Sequence, residues 1–157
     1  MAHSTLFWFS AVAMAVCCLA AAYAASAAEA DEPRPRMLSH DVYWLIHVFG
    51  IALLILAVGG VSLHAMSGGT KATSGGRGLA AASHGAGLLL ILVAGFGMLA
   101  RLGMEGGIPG WVWAKLAIWA LIGGLFMLPY RRPGLAKLVW VAAGFLVLCA
   151  GWLSHTQ

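Results

Sequence analysis

Histidines 47, 64, 84 and 155 lie inside, or at the ends of, long apolar runs where a purely structural segment would carry Leu or Val. Polar side chains at membrane depth are costly unless paired, so each marks a candidate site. Imidazoles from facing helices are the usual way to hold a b-type haem inside a helical bundle. His47 sits about a turn and a half inside one edge of its run, and His155 closes the last run on the same side, with His40 nearby. His64 and His84 form a second set towards the opposite edge. His47, His64 and His84 are therefore candidate metal ligands. His155, and more weakly Met98, is a candidate second ligand opposite His47. The plainer alternative is that each ring hydrogen-bonds to a neighbouring helix or to lipid headgroups. Two haems stacked along one helix need ligands on one face, about four turns apart. His47 and His64 are about a quarter turn out of line at about 100° per residue, so one haem is easier to build than two.

Lys115 is the other outlier, about one turn into the run that opens at Trp111, at a depth similar to His47. One reading is snorkelling to the headgroups. The functional reading joins it to Arg101 as a pair of cations that bind a cofactor by its negative charge. Their ligand would be the propionates of a haem, a quinone carbonyl or an anionic lipid.

Other chemistries find little support. Cys17, Cys18 and Cys149 all lie in apolar runs, and there is no Cys-x-x-Cys, so a structural disulfide is not expected. No hydrolase, phosphate-binding or zinc motif is present. No apolar run carries a carboxylate, which argues against a proton-coupled transporter or ion channel. A copper site would have to draw on Met37, His40, Met104 and His155, and Met is common in any apolar chain.

The elements that must position these residues follow from composition. Of 157 residues, 62% are hydrophobic and only 9% charged, far below the roughly one quarter that coats a soluble domain. The +4 net charge comes from loops, so it implies no nucleic-acid partner. Residues 1–27 read as a signal peptide, with an apolar core at Leu6–Leu19 and Ala-x-Ala sites at 22–24 and 25–27. The n-region lacks Lys and Arg, so an uncleaved signal-anchor helix is the alternative. Residues 28–41 form a periplasmic linker that Pro33 and Pro35 keep non-helical. Spans are expected at 42–66, 79–100, 111–128 and 135–153, with a tail at 154–157. Short connections make neighbours antiparallel, so the expected fold is an all-α, up-down four-helix bundle in the membrane.

Charge orients that bundle. Lys71, Arg77, Arg131, Arg132 and Lys137 fall on one side, and Glu29, Asp31, Glu32, Asp41 and Glu105 on the other. The positive-inside rule then predicts both ends of the mature chain outside, N-out and C-out, in a bacterial inner membrane. Trp44, Trp111, Trp113 and Trp152 mark the outer interface. The many glycines suit close helix packing. A sharper reading has Gly50 beside His47, or Gly87 beside His84, leaving room for a flat macrocycle.

Trp111…Lys115-Leu116, followed by Gly123-Gly124 and then Arg131-Arg132, resembles the third helix of small bacterial four-helix membrane proteins. These are the SirB-type family and the HemJ-type protoporphyrinogen oxidases. Their first helix carries an outer histidine, which His47 matches. HemJ-type proteins bind haem b. The resemblance covers about residues 41–153 and implies roles for His47 and Lys115. The HemJ-type pattern has a further histidine towards the end of the third helix, where this chain has Leu125-Phe126-Met127, so the oxidase activity does not carry over. The expectation is a b-haem-binding or quinone-proximal redox protein. Its site is drawn from His47, Lys115, Arg101 and His155. The alternative is a non-catalytic accessory subunit that packs against a larger membrane complex.

Overall fold

The computed structural model describes residues 38–103 and 108–155. The expected signal segment, most of the linker, Met37, Met104, Glu105 and the last two residues lie outside them. The described residues form helices α1 (His40–Met66), α2 (Arg77–Arg101), α3 (Gly110–Leu125), a short α4 (Leu128–Arg131) and α5 (Ala136–His155). A 3₁₀ turn, Pro133–Leu135, joins α4 to α5. No strand occurs among them.

Local chemistry sets the helix limits. Ser39 caps α1 by accepting the Val42 N–H on its hydroxyl, so the helix starts at His40 rather than Val42. Its far end closes when Gly68 takes φ +79° and the Gly69 N–H returns to the His64 carbonyl at 2.9 Å. Gly103, at φ +60°, ends α2 in the same left-handed way. Pro109 precedes α3 and fits the start of a helix, where its missing N–H costs nothing.

The third span departs from expectation. Instead of running 111–128 it ends at Leu125, turns at Phe126-Met127 and restarts as α4, with Pro129 in its first turn. The proline ring cannot take an interior helix position, because it lacks an N–H and clashes with the preceding turn. Sixteen residues reach about 24 Å at 1.5 Å each, short of a hydrocarbon core of about 30 Å. Among the described residues, three segments are long and apolar enough to cross a membrane: His40–Met66, Arg77–Arg101 and Pro133–His155.

α1 is the helix on which the others assemble. It runs antiparallel along α2 and also packs against α4 and α5, while α5 pairs with α3. The core is Leu54, Ala57, Val58 and Val61 of α1 with Ile122, Phe126, Val139 and Ala143. The α1–α2 seam is a backbone contact. A Cβ on Gly87 would come within 2.7 Å of the Gly50 carbonyl oxygen, and one on Gly50 within 3.0 Å of the Gly87 oxygen. These two glycines bring helix to helix and leave no space for a macrocycle between them, which corrects the reading of Gly50 and Gly87 as room for one. Close approach of this kind is how helices associate where lipid supplies no hydrophobic drive.

Candidate functional site

His47 points from α1 into a notch on α2. Its Nδ1–H donates to the Ile91 carbonyl at 2.9 Å, and the Cβ that Gly95 lacks would sit 3.5 Å from its Cε1. Tyr43, one turn earlier, fills the matching gap at Gly97. The glycines of α2 thus receive the rings of α1. A carbonyl can only accept, so Nδ1 carries the proton, and in the neutral ring the Nε2 lone pair is left open. Nε2 has no hydrogen-bond partner among the described residues.

Lys115 occupies a different seam at the same end. From α3 its Nζ donates to Ser154 Oγ of α5 at 2.6 Å and lies 4.6 Å from the centre of the Trp111 ring. Arg101 and His155 are exposed at this same end. His40 lies 3.7 Å from Asp41, its sequence neighbour.

At the Met66 end, His84 is 7% exposed. Its Nε2–H donates to the Gly123 carbonyl at 3.2 Å, and its ring stacks on Phe126. Gly123 lies in the last turn of α3, where carbonyls run out of helix donors, so a side chain of α2 satisfies one of them. Nδ1 of His84, Ser62 Oγ and Tyr130 Oη are buried without partners. His64 takes neither of these partners. It meets Tyr130 edge-on at 5.9 Å, approaches Thr73 Oγ1 at 3.4 Å, and lies under Gly69 so closely that a Cβ there would overlap the ring. This contact puts the 67–76 loop and the basic turn after α3 at one end of the molecule.

The candidate residues thus fall in separate places. His47 sits on the α1–α2 seam, Lys115 on α3–α5, His84 between α2 and α3, and His64 under a loop. No group of three His, Cys, Asp or Glu side chains converges among the described residues. His47 and His84 each hydrogen-bond to a neighbouring helix, which is the plainer alternative raised by the sequence. Sequence reasoning missed Ser154 and Trp119, whose Nε1–H donates to the Leu88 carbonyl at 3.0 Å and ties α3 to α2. Ser154 could have been found by matching depths, since antiparallel pairing sets the end of the last span against the start of the third. No protein-family model, curated protein or solved structure matches the chain.

Proposed function

We propose that the chain is a small four-helix protein of the bacterial inner membrane, with its His40 end outward. In this reading it handles electrons through a b-haem or a quinone bound at His47. The observation that carries the reading is the anchored ring. A metal-ligating histidine commonly fixes its tautomer and plane by donating its other N–H to a carbonyl, as His47 does to Ile91, which leaves Nε2 to bind. His47 would hold the iron of a haem through Nε2, and the haem would supply one-electron chemistry there. Equally, an Nε2–H on the protonated ring could meet a quinone oxygen. Arg101 closes α2, the helix whose Ile91 carbonyl anchors the His47 ring, and is the cation assigned to the propionate or quinone charge. Lys115 is directed to the opposite seam. Basic residues 71, 77, 131, 132 and 137 gather at the Met66 end, which supports that end as cytoplasmic.

The test is a dithionite-reduced minus oxidised spectrum of detergent-purified protein, run beside His47→Ala. Soret and α bands present in the parent and lost in the variant support the haem. A flat spectrum from protein expressed with ample haem overturns it.

A second reading, an accessory subunit, has its own observation. Among the described residues, a Cβ on Gly60, Gly85, Gly144 or Gly151 would meet nothing within 4 Å, so no described helix packs against these glycines. Small residues left open on membrane helices suit contact with another helix. A stoichiometric partner retained through mild-detergent purification would favour this reading over the haem.

A further inference from the structure

We infer that Lys115, Ser154 and Trp111 form a binding site for the phosphate group of an anionic membrane lipid on the α3–α5 seam at the His40 end. The ammonium is held on two sides, by Ser154 Oγ at 2.6 Å and by the Trp111 face at 4.6 Å. An ammonium has three N–H donors, and the Ser154 bond uses one of them. Ser154 in turn reaches back to the Ala150 carbonyl at 3.5 Å, which fixes its hydroxyl to helix α5. No carboxylate meets Lys115 among the described residues, where Asp41 is the only acid and lies beside His40. A half-buried cation fixed in place, with donors left over and no counter-charge among the described residues, calls for an anion.

Depth decides which anion. Trp113 is 54% and Trp152 71% exposed at this same end, and exposed tryptophans of apolar helices sit at headgroup level. The ammonium is therefore at the height of lipid phosphates and faces the membrane rather than bulk water. This site depends on the helices lying in a membrane and not on haem at His47, so the two proposals fail separately.

The test uses full-length protein in nanodiscs. Thermal unfolding is followed with added phosphatidylglycerol, with a diacylglycerol that lacks phosphate, and with inorganic phosphate. Lipid retained after purification is measured by mass spectrometry. Phosphatidylglycerol should raise the unfolding temperature and the diacylglycerol should not. Lys115→Met should weaken lipid retention about five- to tenfold, and Lys115→Arg should preserve it. Ser154→Asp, which supplies an internal counter-charge at an exposed position, should mimic Lys115→Met. Equal retention in parent and Lys115→Met, or in parent and Ser154→Asp, overturns the site. Equal stabilisation by inorganic phosphate overturns the lipid as its source.

Discussion

The imidazole of His84 lies flat on Phe126, with ring centroids 4.3 Å apart and planes 17° apart, while its Nε2–H satisfies Gly123 in the last turn of α3. One side chain of α2 therefore both packs against the core and ends a neighbouring helix. Replacing it with alanine removes the donor and leaves the Gly123 carbonyl unsatisfied. The expected cost of His84→Ala is about 1–3 kcal/mol, read as a lower unfolding temperature in detergent. Faster proteolysis at the α3–α4 turn should accompany it. Unchanged stability would show that water takes over the bond.

Trp119 is the second tie between α2 and α3, through its indole N–H to Leu88 at 3.0 Å. Trp119→Phe keeps most of the ring and deletes the donor. It should destabilise by about 0.5–1.5 kcal/mol in the same unfolding measurement. Combined with His84→Ala it should loosen α3 from α2, because these two rings bridge helices whose backbones barely touch.

The Gly50–Gly87 contact sets the spacing of α1 and α2. Gly87→Ala places a methyl against backbone rather than a flexible side chain, so the helices must separate. A loss of about 1–3 kcal/mol is expected. Gly144→Ala is the control. Its Cβ meets nothing within 4 Å among the described residues, and the substitution should be neutral or stabilise by up to about 1 kcal/mol through helix propensity.

Gly95 provides a graded test of the His47 notch. A methyl there comes 3.5 Å from the ring, an ordinary contact, so Gly95→Ala should leave any haem spectrum intact. Gly95→Leu overfills the notch and should break the bond to Ile91. If His47 holds a haem, the haem content per protein should then fall to the level expected for His47→Ala. Full haem content in Gly95→Leu would show that the ring is not held by this contact.

The sequence by itself determined the helical, apolar character of the described residues and the approximate places of the three long helices α1, α2 and α5. Charge density far below that of a soluble domain, together with long runs free of charge, sufficed for that. Ser39, Gly68, Gly103 and Pro109 act through their own backbone and immediate neighbours, so the signals that start and stop α1, α2 and α3 are local. The shared depth of His47 and Lys115 was also legible, because rise per residue converts position into height.

Tertiary structure decided what each ring faces. Height does not give azimuth, and helices that are apolar all round offer no polar stripe to fix it. Only the close contact at Gly50 and Gly87 turns His47 towards Ile91, and only the α3–α5 pairing brings Ser154 to Lys115. The break after Leu125 likewise depended on context. Pro129 forbade a continuous helix, but the buried His84 and Phe126 pair settled where α3 ends.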